Sequence, residues 1–584
     1  IFMSSTKERL IEAVRVIPDI DGISQEFDYL VPEDWNASGE SKFIQVGTIV
    51  RIRFRNRIVR GWVSEINPTD KPNVELIPLK KISGIGPSPE VVNLAKWAAK
   101  NWHGPVSKFL RVASPKSMLR ARLNEENESL DQTERLVEKA NRFTGFSATG
   151  REISPLGDRW PVIQETVKRG NSLILVPSVK QAQLLVGRLK GFGVKSGLHG
   201  KDWIVGAQGG TIVGTRSAAF ATIKDLAAIL VIDEHDDAYR NEAAPTWNAR
   251  DVVLQRAKII GIPIVFTSPI LSPEARKEIQ ITETIGDIET GWGSIRVLDP
   301  RQPAERGYGL WPSGVIDQMK RSERSIVILN RKGRSKLLVC ASCGEIVICS
   351  ECNSKMSQPN EDYLTCSRNH RRPIVCSFCL STKLKNLRIG IGRAKEELEA
   401  LLQEPVQEIH ANSNDVNLHN GKYLLGTNAA LHRVDWADLI FFADYDQELY
   451  AGGYRSEETA LSNLIRAVRI TNTRSRASGQ VLIQTRSHKS ELLGVIKTGE
   501  FSSWSELNQR RRKLLSLPPY GSYAEVSGPG AKKYVERIDV IEGIEVLGPL
   551  EGSWLIKSDS HSLLLETLSK VDRPKERVRV AINS

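Results

Sequence analysis

All seven cysteines of this 584-residue chain lie between Cys340 and Cys379, in the run CASCGEIVICSECNSKMSQPNEDYLTCSRNHRRPIVCSFC. Cys340 and Cys343, Cys349 and Cys352, and Cys376 and Cys379 are pairs with two residues between them, while Cys366 stands alone with His370 four residues on. A thiolate pair at this spacing can bite one tetrahedral ion, and four such half-sites make two zinc centres. His370 is the natural eighth donor, since imidazole replaces thiolate in Cys3His sites. A redox pair is the rival use, but three pairs in so short a run argue for metal. Cysteines absent from the rest of the chain also fit a reducing compartment, where closely paired thiols hold metal more often than they form disulfides.

A second group able to do chemistry is LVIDEHDD. An apolar strand ending in Asp233 and Glu234 is the arrangement that holds Mg2+ and positions water in P-loop nucleotidases. The bland alternative is a carboxylate pair capping the next helix. The partner motif, GxxxxGK followed by Ser or Thr, is missing. Where it is expected, before SLILVPS, the chain reads FSATGREISPLGDRWPVIQETVKRG. Gly150 and Gly157 remain there, but Ser154, Pro155 and Leu156 stand where Gly-Lys-Thr is needed. Proline removes an amide donor and leucine cannot bind Mg2+, so bound ATP and Mg2+ are not expected.

These groups need elements to hold them. The chain is long enough for several units at ~100–200 residues each, and its 40% hydrophobic and 26% charged residues are ordinary for globular domains. Alternating apolar and polar residues in EFDYLVPED and GTIVRIRFRNRIVRGWVSEI predict short strands with a basic face. SPEVVNLAKWAAKNW predicts a helix capped by Ser88, with Val91, Leu94, Ala95 and Ala98 on its buried stripe. Short apolar runs such as SLILVPS, GTIVGTRS, LAAILVIDE and IPIVFTSP read as strands of a parallel sheet buried on both faces. RSIVILNR, KYLLGT, DLIFFADYD and GQVLIQT repeat that texture, with the cysteine segment inserted after the first. IEVLGPL, SWLIKS, RVRVAINS and a helix SLLLETLSKV predict a small α+β tail. A net charge of +12 favours polyanion partners. The N-terminal run carries Lys7, Glu8 and Arg9 and no uninterrupted apolar stretch, so no signal peptide is expected; no run approaches the ~18–20 apolar residues of a membrane span.

The order of motifs resembles the PriA family of primosomal replication-restart proteins. The carriers are FDYLVPE (Phe27 to Glu33) followed by RIRFRNRIVRGWV, IVGTRSAAFA, VIDEHDDAYRNEAAPTWNARDV, LNRKGRS leading into the cysteines, LLGT, GQVLIQT and LLSLPPY. The resemblance runs nearly the full length and implies a multidomain α/β chain. Residues 1–86 would be a small N-terminal β domain that binds a 3′ DNA end, and 87–140 a winged-helix-like segment and linker. Residues 141–295 and 296–490 would be two RecA-like helicase lobes, the second carrying a two-zinc insertion at 338–382. Residues 491–584 would be a small α+β C-terminal domain.

Carried over by position, Phe27, Asp28 and Tyr29 would line the 3′-end pocket, Asp28 accepting a hydrogen bond from the terminal sugar hydroxyl. Arg55 stands where the family has glycine, and would crowd the pocket or add a phosphate contact. Thr215 and Arg216 would face the DNA cleft, and Tyr239 and Trp247 belong to a loop able to stack on an unpaired base. The resemblance also nests the metal ligands: Cys340, Cys343, Cys376 and Cys379 on one zinc, and Cys349, Cys352, Cys366 and His370 on the other. It implies a monomer, cytoplasmic and nucleoid-associated, that meets forked and single-stranded DNA, primosome proteins, a helicase loader or replicative helicase, and single-stranded DNA-binding protein, with no membrane.

The motor departs from the pattern. DEHD is one residue shorter than the family's DEEHD, and QxxGRxGR reads AVRITNTR, Ala467 to Arg474. The remnants are Asp233, Glu234 and Arg474, and with three phosphate-handling parts degraded together ATP-driven unwinding is not expected. Two other readings stand beside this one. The first is an active superfamily 2 DNA helicase with a non-standard nucleotide site, and the second a zinc-ribbon protein acting on RNA or transcription complexes.

Overall fold

The computed structural model describes residues 10–583 apart from 24, 71–74, 117–144, 286–290, 303–306, 309, 331–336, 353, 360, 361, 367, 368, 388–390, 410–420, 452, 474–478, 488, 489 and 551. The alternating N-terminal segment forms an antiparallel sheet of β1 (Ala13–Pro18), β2 (Phe27–Leu30), β3 (Ile49–Phe54), β4 (Arg57–Ile66) and β5 (Lys81–Gly84), in the order β2-β1-β4-β3-β5. Period-two alternation gives it two faces. One buries Val14, Val16, Tyr29, Val50, Ile52 and Val63. The other sends Ile49 and Trp62 under helices α1 (Pro89–Asn101) and α2 (Val106–Ala113).

In α1 the stripe Val91, Leu94, Ala95 and Ala98 is buried as its spacing requires, and Pro89 opens the helix where a missing N–H costs nothing. Ser88 holds the capping position, but its side chain makes no cap bond. Both helices share one core with Phe220, Trp247 and Tyr534. The remainder of the expected winged-helix segment falls mainly on residues 117–144, outside the described residues.

The next sheet is seven-stranded and parallel: β6 (Ser147–Ile153), β7 (Ser172–Leu175), β8 (Ser196–Leu198), β9 (Thr211–Gly214), β10 (Ala228–Ile232), β11 (Pro263–Ser268) and β12 (Gln280–Ile285). Its order is β12-β6-β11-β10-β7-β9-β8, and β10 lies near the middle with all its side chains buried, which is why LAAILVIDE is apolar without alternation. Helices α3 (Trp160–Lys168), α4 (Val179–Gly191), α5 (Ala249–Ile260) and α6 (Pro273–Glu278) follow its strands.

A second parallel sheet has β13 (Ser294–Leu298), β14 (Ser325–Ile328), β15 (Val406–Ile409), β16 (Tyr423–Gly426), β17 (Leu439–Phe442) and β18 (Gln480–Gln484), ordered β13-β18-β17-β14-β16-β15. The cysteine segment leaves after β14 and is closed at its base by an antiparallel ladder between Leu337–Cys340 and Leu384–Leu387. Helix α7 (Ser456–Thr471) packs beside this sheet, and α8 (Phe501–Leu514) leads to the C-terminal unit. There β19 (Ser522–Ser527), β20 (Ile544–Leu550), β21 (Ser553–Ser558) and β22 (Arg579–Asn583) form an antiparallel sheet ordered β20-β21-β19-β22, with α9 (His561–Ser569) against β19 and β21. The mixed α/β class matches the sequence expectation. Among the described residues no helix is long and apolar enough to cross a membrane.

Candidate metal centres, motor cleft and nucleic-acid face

Four thiolates each about 2.3 Å from one tetrahedral zinc stand about 3.8 Å apart. Cys340 and Cys379 Sγ are 3.5 Å apart and Cys343 and Cys376 Sγ 3.7 Å, and the donor atoms of these four residues all lie within 4.8 Å of one another. The second group satisfies the same limit, with Cys352 and Cys366 Sγ at 3.8 Å and Cys349 Sγ 3.4 Å from His370 Nδ1. The nested grouping is thus present in the geometry, and both groups could hold a metal ion. Local backbone explains the outer set. Gly344 and Leu380, each just after the second cysteine of its pair, adopt left-handed conformations and donate their N–H to the carbonyls of Cys340 and Cys376, both at 3.0 Å. Phe378 N–H also points at Cys376 Sγ, 3.4 Å away. The other ring nitrogen of His370, Nε2, lies 3.6 Å from the Glu351 carboxylate, which favours the tautomer that leaves Nδ1 free to ligate.

At the expected nucleotide cleft, strand β10 is followed by Asp233, which is buried and left-handed. Its carboxylate accepts from two guanidiniums, bidentately from Arg469 (Nη2 at 2.8 Å) and from Arg159 at 3.4 Å. Burial pushes the Asp233 carboxyl up, and the two guanidiniums outweigh it and hold the group well below the usual carboxylate range. Glu234 is equally engaged, accepting from Arg250 at 2.9 Å and from the Ser272 N–H at 3.0 Å. Asp236 is paired with Arg466. Arg466 and Arg469 sit three residues apart on α7, so one helix of the second lobe meets the acidic turn of the first.

The loop that would cradle phosphate is inverted in polarity. A phosphate site aims amides inward. Here Arg159 donates to the carbonyls of Ser154 (3.1 Å), Pro155 (3.2 Å) and Gly157, and Arg469 Nε donates to Pro155 O at 2.9 Å. The loop's own amides are spent within the chain, Leu156 on Gly291 O and Gly157 on Ser154 O. Gly150 belongs to strand β6 and not to the loop, and a Cβ there would strike Leu271 and Ile279. Burial brings the Arg159 guanidinium down to about 10. His235 sits in the same turn, its Nδ1 2.8 Å from Ser268 Oγ, and burial lowers its pKa. Arg474 lies outside the described residues.

Several positions carried over as DNA contacts are committed elsewhere. Tyr239 is fully buried and its hydroxyl donates to Ile232 O. Trp247 packs edge-on against Phe220 with ring centres 5.3 Å apart. Neither ring has an open face for a base, so both anchor the loop, which corrects the stacking expectation. Arg216 donates to the carbonyls of Ala238 and Arg240, stapling that same turn to Thr215 and the end of β9. In the N-terminal sheet Tyr29 is buried, its hydroxyl donating to Arg53 O at 3.1 Å, and Phe27 packs on Phe54 with centres 5.2 Å apart. Asp28 is gripped by Arg15 at 2.8 and 3.2 Å with its side chain only 3% exposed. Arg55 is exposed in the β3–β4 turn, left-handed at φ 54°. Sequence reasoning missed Arg15, Arg159, Arg466 and Arg469; the spacing of the last two on one helix face was the available signal.

The family described as 3′DNA-binding domain (3′BD) matches residues 15–115, the N-terminal sheet with α1 and α2. Three similar curated proteins are all called replication restart protein PriA. That of Bacillus subtilis is 24% identical over 67% of this chain and 53% of its own length, and that of Rickettsia conorii is 22% identical over 89% of both. The Helicobacter pylori protein (strain ATCC 700392 / 26695) is 25% identical over 76% of both. The matched region spans about half the length of the B. subtilis protein and 59% of that of Synechocystis. A domain matching the 3′DNA-binding family, joined to two parallel-sheet α/β units, defines the class. Within that class the chain is similar to the proteins called replication restart protein PriA, and its residues 15–115 match the 3′DNA-binding domain family.

Proposed function

We propose that this protein is a replication restart factor that binds stalled or abandoned forks and promotes primosome assembly and reloading of the replicative helicase, without ATP-driven unwinding of its own. The observation that carries the reading is the motor cleft, where Arg159 and Arg469 neutralise Asp233 and take the loop carbonyls. Their charges fill the place that Mg2+ and a phosphate-binding lysine occupy in a working motor. A nucleotide would have to displace both guanidiniums and then meet a loop that offers carbonyls in place of amides. The likeness to proteins named for replication restart supports the fork role. The chain then works as a cytoplasmic, DNA-bound scaffold, with the two lobes as a frame.

Two zinc ions per chain are part of this proposal. The donor sets fit them, and when bound they would cross-link the knuckles of the insertion. The chain's own part is to aim the sulfurs and His370 Nδ1 inward and to present the pinned insertion for helicase loader, replicative helicase or single-stranded DNA-binding protein. Affinity for a fork with a free 3′ end, compared with duplex DNA and RNA of equal charge at fixed salt, tests the reading. Tighter binding to the fork is expected. Equal or tighter binding to RNA would replace it with the RNA or transcription role.

A further inference from the structure

The N-terminal sheet contains two cross-strand rows of charge built on opposite rules. In one, Arg15 on β1 is registered with Asp28 on β2 and Glu65 on β4, and bonds to both, with Asp70 adding a third carboxylate at 2.8 Å. That row alternates in sign and satisfies itself. In the other, Arg51 on β3 is registered with Arg60 on β4 and with Lys81 on β5. Residues directly opposite in an antiparallel ladder share a face about 5 Å apart, and like charges there are destabilising. Arg53 continues the same face two residues along β3, opposite the exposed Ile58, and the turn adds exposed Arg55 and Arg57. Of these cations only Arg60 has a carboxylate, Asp19 at 2.7 Å, which it shares with Arg111. Arg51, Arg53, Arg55, Arg57 and Lys81 have none among the described residues.

We infer that this face, from Lys81 across Arg51 and Arg60 to the Arg53–Arg57 hairpin tip, is a clamp for the sugar-phosphate backbone of a DNA strand. A polyanion is the ligand that turns a row of opposed cations from a cost into a gain, through release of its condensed counterions. A guanidinium can also span two phosphate oxygens. Asp28, whose carboxylate is held by Arg15, is not one of the clamp's groups, and contacts to phosphates do not depend on the chemistry of the strand terminus. The inference rests on the DNA-binding reading and deepens it.

The test is fluorescence anisotropy of the full chain with a labelled fork over a salt series, using strands ending in 3′-hydroxyl or 3′-phosphate. The variants are Arg51→Gln with Arg53→Gln, and separately Lys81→Gln. Each contact removed should lower the slope of log Kd against log salt by about 0.7–0.9. The double variant should bind at least about tenfold more weakly at low salt, equally for both ends. Thermal midpoints should be unchanged or raised, since opposed charges are removed, which separates lost contact from lost fold. Unchanged slopes with binding intact, or a loss confined to one terminus, would overturn the clamp and leave the DNA-binding reading standing. No DNA binding by the wild-type chain would overturn both.

Discussion

The motor cleft and the N-terminal sheet use the same side chain in opposite ways. In the cleft Arg469 and Arg159 meet Asp233, Arg466 meets Asp236, Arg250 meets Glu234, and Arg455 and Arg512 converge on Glu274. Those guanidiniums are mostly buried and their charge is consumed within the protein. On the sheet Arg51, Arg53 and Lys81 face one another or solvent with no carboxylate among the described residues to answer them. In the cleft the guanidiniums are answered by the protein's own carboxylates. An unanswered row marks where a ligand is still expected. Net charge alone distinguishes neither case.

The comparison can be broken in several places. Largest is the effect of metal, since structural zinc contributes on the order of 10–16 kcal/mol of folding free energy to its module. Metal analysis is expected to give two ions per chain. His370→Ala should lose only the ion of the Cys349, Cys352 and Cys366 set, leaving the outer set loaded. A single ion in the wild type with His370 free would mean that the inner set does not hold metal.

Next comes the cleft. Asp233→Asn leaves two guanidiniums without their anion, and breaking a buried pair this way costs roughly 3–5 kcal/mol. Chemical denaturation should register that loss, and a double-mutant cycle with Arg469→Gln should give a coupling of about 1–3 kcal/mol. In a motor whose aspartate waits for Mg2+, the same change would be neutral or stabilising. The sign with pH follows, because the folded Asp233 pKa is depressed. Its contribution is present above the unfolded carboxylate value of about 4 and fades as pH falls below it, so Asp233→Asn should flatten the acid limb of the stability curve.

Smaller and opposite in sign is the pair at the end of β17. Burial, aided by Asp446, raises Asp444 to about 7, and burial raises Glu448 to about 7. Raised carboxyls stabilise the fold fully below about pH 4 and lose that contribution as pH climbs through 7. Unfolding measured at pH 6 and pH 8 should differ by roughly 1–2 kcal/mol, and Asp444→Asn should remove part of the difference.

What could be read from the sequence was local in origin. The cysteine pairs, the apolar strands of both parallel sheets, the stripe of α1 and the strands of the tail all follow from spacing within a few residues, and all appear where spacing puts them. What escaped was long-range. Arg469 meets Asp233 across 236 positions, and the spacing of Arg466 and Arg469 on one helix face marks a shared face without naming the partner it meets. Arg15 and Asp28 are only 13 apart, but their pairing depends on the β1–β2 register. Tyr239 and Trp247 were ambiguous for a different reason. An aromatic loop reads the same whether its rings meet bases or a core, and only the approach of Phe109 and Phe220 to Trp247 decides it.

Arg159 and Arg469 close the cleft over Asp233, and on the proposed reading the chain binds DNA with that cleft silent. Steady-state ATP hydrolysis by the zinc-loaded full chain, with and without fork DNA at saturating occupancy, tests it most directly. No DNA-stimulated turnover alongside firm fork binding is the predicted result. Turnover that rises with DNA and is abolished by Asp233→Asn would contradict it.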